Sequence, residues 1–450
     1  MAVFLKLKKK VKINVSFKEV IMKKNAFIVL LFTVVLLQTL GCKDPITPIY
    51  SDPFNQKSSL KFVWVKPIYQ DSSLISQSQL YFVDDYVAMS TFGPLPIGQP
   101  KGIVFFNRIT GDKHPSWTRY PSTIIEGNEL YIRDFAIGGR NNDIAFFSEL
   151  SNLYAYDVPS GQKKWKFNFP VYMPNSQFTT FDNQVYLTYW EGGTWSTTWA
   201  KLARYDAQTG TQEDLFTVSA VPEYDFFISP PVGYVAPNND TLVIGVTYHY
   251  RFADHNKMAW LYCYNVTDKT MQWENKTFSN DNEESRNDYQ IIDNGKVLIQ
   301  TMRAVYCIDI ETGNVVWKKE GLTLSLNKTH LLYEDGKIYC RIDEGNIYCW
   351  DAETGIEIWK NENLYLYAVD KDNIVLYHDR LYFTAFWYGQ PHLICISAET
   401  GKLLWQDPGS FGALGGLLLL DKNLGYLYGV CDGFIYCLDI NKTEMFMSSH

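Results

Sequence analysis

The sequence predicts an all-β fold, an eight-bladed β-propeller of four-stranded antiparallel blades, and three observations lead there. Aromatic residues make up 16% of the 450 residues, with 31 Tyr, 27 Phe and 13 Trp. Such bulk suits many short strands better than helices rich in small and charged residues. Three segments, Val305 to Trp317, Ile347 to Trp359 and Leu393 to Trp405, align without gaps, each carrying Glu-Thr-Gly with the Gly four residues before the Trp. From Trp117 onward the same anchor position recurs at steps of 48, 50, 58, 44, 42, 46 and 41 residues. Eight units of that period, each of four strands, are the sequence signature of propeller blades.

Each element follows from its residues. Before the turn stands a short run such as Val305-Tyr306-Cys307-Ile308-Asp309, whose β-branched and aromatic residues read as a strand. Thr-Gly supplies a hairpin turn in which Gly tolerates positive φ, and the Trp stands on the next strand. Upstream lies a second hairpin, for example Tyr289 to Gln300 turning at Asn294-Gly295, or Leu331 to Cys340. Weaker copies lead to Trp165 and Trp273, and a looser one to Trp117. The third copy carries Leu215 where Trp would stand, and the last reaches Phe446 with no Trp, leaving its outer strand weak. Conversely, Trp64 stands in Leu60 to Pro67 with no Thr-Gly turn before it. Pairing that orphan strand with the eighth blade closes the ring and removes an exposed edge.

The first 41 residues read as an address. Lys23 and Lys24 precede an apolar run from Ala26 to Leu37 that ends in Leu40-Gly41-Cys42. This is secretory-signal anatomy, and the run is shorter than the ~20 residues of a membrane span. Met22 reads as the working start. Leu40-Gly41-Cys42 resembles the lipobox of bacterial lipoproteins, with Thr39 where Leu is usual, and that resemblance implies acylation of Cys42. Residues 42–59, with Pro45, Pro48 and Pro53, read as a lipidated tether, and residues 60–450 as the propeller. A chain starting at Cys42 carries 33 basic against 48 acidic residues, a net charge of −15. So acidic a body is a poor partner for nucleic acid.

Asp-x-x-Thr-Gly-x-x-x-Trp is similar to the repeat of pyrroloquinoline-quinone-type eight-bladed propellers, over roughly residues 60–450. Two groups share it: the quinoprotein dehydrogenases, and the non-catalytic lipoprotein of the outer-membrane β-barrel assembly machinery with its relatives. The resemblance therefore speaks for fold more than for activity.

The repeat residues Trp117, Trp165, Trp273, Trp317, Trp359 and Trp405, with Gly313, Gly355 and Gly401, recur once per blade and read as packing between blades rather than as ligand platforms. Cys263, Cys307, Cys349, Cys395 and Cys437 share one repeat position and read as small buried strand residues. If Glu344-Gly345 is a two-residue turn, Cys340 faces Cys349 across it, close enough for a disulfide in an oxidising compartment.

No catalytic constellation emerges. The adjacent Cys-Cys pair that the quinoprotein dehydrogenases place beside their cofactor has no counterpart, nor is there a haem-attachment motif, a Gly-x-Ser-x-Gly or a phosphate-binding Gly-rich loop. His249 and His255 flank Asp254 in what reads as a long loop of solvated polar residues, a weak metal corner. No catalytic, cofactor or metal site is assigned.

The informative departures are four long stretches between second and third strands, on the face opposite the Thr-Gly turns. They are residues 92–101, 190–199, 248–255 and 386–392. Trp190, Trp195, Trp199, Tyr250, Phe386, Trp387 and Tyr388 stand in them as candidate partner-binding residues. The expected function is a non-catalytic, lipid-anchored scaffold that binds a protein partner through these loops at the bacterial outer membrane, in outer-membrane protein assembly. The alternatives are a dehydrogenase using pyrroloquinoline quinone and a surface glycan-binding lipoprotein.

Overall fold

A computed structural model describes residues 60–68, 75–76, 80–92, 102–117, 124–125, 128–129, 132–149, 152–169, 178–193, 196–219, 225–251, 256–279, 285–292, 295–301, 303–322, 331–342, 346–361, 367–368, 373–387, 390–407, 418–431 and 434–447. Cys42, the signal region and the tether lie outside them. The described strands form eight antiparallel sheets, the blades of a propeller ring, with a separate two-stranded pair, Ile124–Ile125 and Asn128–Glu129. Blade 5 shows the plain unit: Ser285–Ile292, Lys296–Thr301, Val305–Asp309 and Val315–Lys319, hydrogen-bonded in that order. First strands of successive blades touch one another, which places them around the axis and the Trp-bearing fourth strands at the rim. In blades 1, 4 and 7 the first strand is broken into two pieces that pair with different halves of the second.

The ring closes with its own N-terminus. Phe62–Pro67 runs antiparallel to Phe434–Asp439, with Trp64 opposite Cys437 and Pro67 opposite Phe434, and becomes the fourth strand of blade 8. Among the described residues, the eighth copy forms no outer strand of its own. Its residues enter a helix, Ile440–Met447, which includes Phe446. Trp117 also departs from expectation, since it lies on a 3-10 turn, Pro115–Trp117, and not on a strand.

The apolar cores sit between blades. One cluster joins blade 5 residues Leu298 and Cys307 to blade 6 residues Ile338 and Cys340, and the next joins Cys349 to blade 7 residues Phe383 and Ile394. This corrects the facing of the two cysteines. Arg341 pairs with Ile347, and the Ile342 N–H donates to the Asn346 carbonyl, so the connection is one residue longer than a two-residue turn. Cys340 stands opposite Tyr348, and Cys349 opposite Tyr339. A one-residue slip sends side chains to opposite faces of a sheet. Both thiols are free and buried, in different cores.

Candidate functional site

The seams between blades set the geometry of everything they carry. Trp317 lies on the fourth strand of blade 5, and its Nε1 donates to the Ala352 carbonyl in the turn of blade 6 at 3.0 Å. That turn is organised by Asp351, whose Oδ1 accepts from the Thr354 hydroxyl at 2.6 Å and the Thr354 N–H at 2.8 Å. These bonds hold the Asp351 carboxyl below its usual range. The same docking recurs from Trp117 to Val158, Trp165 to Ala207, Trp273 to Ile310, Trp359 to Ala398, and from the N-terminal Trp64 to Arg108. The turn glycines have two reasons to be glycine. Gly313, Gly355 and Gly401 have φ near +70°, and a Cβ on each would meet the ring of Trp273, Trp317 or Trp359 at 2.5–2.7 Å.

The seam between blades 3 and 4 departs from this rule on both sides at once. Blade 3 offers Leu215 instead of Trp, and blade 4 offers Lys269 at φ +58° instead of Gly. With no indole to abut, the turn tolerates a side chain, and Lys269 pairs with Glu213 at 2.5 Å. Arg204 holds the same carboxylate at 2.6 Å, and the Tyr264 hydroxyl donates to the Leu215 carbonyl at 2.9 Å. Both substitutions are visible in the sequence, but their pairing across one seam is not.

Above that seam, on the face opposite the Thr-Gly turns, stands an extended wall. The stretches read as long loops in blades 3, 4 and 7 are instead prolonged strand pairs. In blade 3, Gln184–Gly193 pairs with Ser196–Asp206 out to Gly193 opposite Ser196. In blade 4, Thr241–Arg251 pairs with Asn256–Asn265 out to Arg251 opposite Asn256, and in blade 7 Trp387 pairs with Gln390. Alternating aromatic and β-branched residues extend the ladder here because they pack across strands. A short strand, Asp225–Ile228, pairs with Thr247 to Tyr250 and packs against the third strand of blade 3, joining the two projections.

Of the candidate residues, two are described in full. Trp199 is half-buried, edge-on to Tyr189 at 5.8 Å, with the Lys201 ammonium 5.2 Å from its ring. Lys201 pairs with Asp214 at 2.7 Å, and the Tyr189 hydroxyl donates to Asp214 at 3.0 Å. Burial works to raise the Asp214 carboxyl, but hydrogen bonds from Lys201, Gln212 and Tyr189 outweigh it and the net shift is downward. Burial, and then the Asp214 charge, push the Tyr189 phenol up to about 12. Tyr250 is half-buried and packs against the core shared by blades 4 and 5. Trp190, Phe386 and Trp387 lie on the extended strands, with their side chains outside the described set. Trp195 and Tyr388 lie outside the described residues. The structure thus brings Trp199 and Tyr250 onto neighbouring blades and leaves blade 7 on another part of the ring.

His249 is not the solvated loop residue expected of it. It is fully buried on the second strand of blade 4, its ring 4.0 Å from Trp260 and its Nε2 3.3 Å from the Thr247 hydroxyl. Burial, helped by the positive charge of Lys276, pushes its pKa down to about 4, so the imidazole is neutral at pH 7. Asp254 and His255 lie outside the described residues, among which no three His, Cys, Asp or Glu side chains are grouped to hold a metal. On the wall, Trp199 packs against the core shared by blades 2 and 3 and Tyr250 against that of blades 4 and 5, and the charges around Trp199 are paired.

Such a ring defines the class: an eight-bladed β-propeller. Within it, a family profile described as outer membrane protein assembly factor BamB matches residues 301–415, the span holding the three best repeats. No curated protein matches the sequence. Among solved structures, BamB from Moraxella catarrhalis is similar at 13% identity, with 83% of this chain and 97% of that one covered and a TM-score of 0.52. A europium-containing methanol dehydrogenase is similar at 11% identity, covering 83% and 86%, with a TM-score of 0.58. The quinohemoprotein alcohol dehydrogenase of Comamonas testosteroni is similar at 13% identity, covering 85% and 77%, with a TM-score of 0.54. At such identities the likeness is one of fold, shared by a protein with assembly in its name and by two dehydrogenases.

Proposed function

We infer that the protein is a non-catalytic scaffold, held at the bacterial outer membrane by an acylated Cys42, that binds a protein partner through the extended wall of blades 3 and 4. Its work belongs to outer-membrane protein assembly. The observation that carries this reading is the pair of prolonged hairpins joined by Asp225–Ile228, a built projection on one face rather than a set of irregular loops. Interface energy concentrates in a few aromatic anchors set in rigid surroundings, and Trp199 beside Tyr189 and Lys201 is such a setting. The BamB profile match supports the assembly role.

Two measurements separate this from its rivals. Trp195→Ala and Trp387→Ala leave the fold intact, and a protein partner captured with acyl-free protein is weakened by only one of them, by about 2 kcal/mol. Equal losses from both point to a ligand on the ring axis. Titration with pyrroloquinoline quinone and calcium leaves no stoichiometric cofactor spectrum. Binding with dye reduction by an alcohol or sugar overturns the scaffold reading.

A further inference from the structure

The C-terminal helix holds two things at once. The Trp405 Nε1 should find a carbonyl in the turn of blade 8, at the position Ile310 fills in blade 5 and Ala352 in blade 6. That position is Ile440, the first residue of Ile440–Met447, and a helix spends such a carbonyl on the N–H four residues on. The acceptor is instead the side chain of that fourth residue. Glu444 Oε1 takes the Trp405 Nε1 at 2.9 Å and the Tyr382 hydroxyl at 2.8 Å, and lies 3.6 Å from the Cys395 thiol. The other Glu444 oxygen pairs with Arg380. All four partners belong to blade 7.

One residue earlier, the same helix grips the closing strand. The Thr443 hydroxyl accepts the Lys61 N–H at 3.0 Å and donates to the Asp439 carbonyl at 2.8 Å. The Asp439 N–H donates to the Lys61 carbonyl at 2.9 Å, and the Lys61 ammonium sits 3.9 Å from the Phe446 ring. Lys61 immediately precedes Phe62–Pro67, at the end from which the remaining N-terminal chain departs. Among the described strands, Phe62–Pro67 is the one piece of a blade contributed from the far end of the chain, held without a covalent connection to its neighbour.

We propose that Ile440–Met447 is a latch: Thr443 and Phe446 keep the closing strand from peeling at its N-terminal end, while Glu444 locks blade 7 to the same helix. Releasing the latch frees the strand and bares the edge of Phe434–Asp439, which then accepts the equivalent strand from a second copy. The device is independent of what the blade 3 and 4 wall binds.

Hydrogen exchange and peptide capture on the full chain test it. Glu444→Ala should speed exchange of the amides of residues 62–66 at least tenfold while those of Lys296–Thr301 in blade 5 keep the wild-type rate. The variant should take up a labelled synthetic peptide of residues 60–68, which the wild type excludes. Glu444→Gln keeps an acceptor oxygen for Trp405 and Tyr382 and should restore most of the protection. If Glu444→Ala fails to fold, Thr443→Val serves, since it removes the hydroxyl that holds Lys61 and leaves the Glu444 bonds to blade 7 in place. Trp273→Phe, which weakens a seam far from the helix, should leave the closing strand no more labile than the rest. Wild-type exchange at residues 62–66 in both latch variants, or a rise spread evenly around the ring, overturns the proposal.

Discussion

Two glycines of blade 6 allow the contribution of one indole to be read by difference. Gly336 and Gly355 both have φ near +70°, but a Cβ on Gly336 meets nothing within 4 Å, whereas on Gly355 it lies 2.7 Å from Cδ2 of Trp317. Gly336→Ala therefore carries only the backbone strain of a left-handed L-residue, about 1–2 kcal/mol. Gly355→Ala carries the same strain and also drives Trp317 outward. That breaks its bond to the Ala352 carbonyl, worth about 1 kcal/mol, and disturbs a packed seam, worth about 1–3 kcal/mol. The second variant should thus be less stable than the first by about 2–4 kcal/mol. The assay is urea unfolding followed by tryptophan fluorescence, because at this chain length 1 kcal/mol moves Tm by only about 1–2 °C. Equal losses from the two substitutions would refute the claim that the turn glycine is dictated by the docked ring.

Three further outcomes follow from the same geometry. His249 has its pKa lowered from 6.5 to about 4 by burial, so the unfolded chain binds the extra proton first. Its stabilisation is complete above pH 6.5 and is lost as pH falls towards 4, by up to about 3 kcal/mol, and His249→Gln should flatten that limb of the stability profile. Burial pushes the thiols of Cys263, Cys307, Cys395 and Cys437 up to about 12 and that of Cys349 to about 11. Peptide mapping after alkylation at pH 8 should find all five unmodified in the native state and modified in urea, whereas a native disulfide between Cys340 and Cys349 would leave those two unmodified in both. Deleting Lys61 to Lys66 removes Trp64 and the fourth strand of blade 8, and should lower Tm by many degrees; an unchanged transition would mean that the strand does not close the ring.

The fold was legible because its information is repeated: three gapless copies of the turn and Trp fix strand, turn and rim in blades 5, 6 and 7, the weaker copies extend the period around the ring, and the orphan Trp64 marks the closing strand. Departures from the repeat were harder to place. The facing of Cys340 and Cys349 hung on the length of one connection, and a single extra residue sends the two side chains to opposite cores. Residues 190–199 and 248–255 looked like loops because Gly, Asp and His interrupt the apolar alternation. Cross-strand pairing carried the ladder through several of them, and buried His249 against Trp260. In the last copy, Asn441-Lys442-Thr443 replaces Glu-Thr-Gly, which signals that the hairpin stops but not that a helix takes its place. Residue types in the extended wall were readable; which of them share a blade pair depended on strand register.

The proposal that a protein partner leans on the wall of blades 3 and 4 is tested most directly by photo-crosslinking in intact cells. A photoreactive residue placed at Trp199 should capture a discrete protein partner, and the same residue at Lys164, on the rim strand of blade 2, should capture none. Capture at Lys164 with none at Trp199 would contradict the account and move the interface to the rim of the neighbouring blade 2.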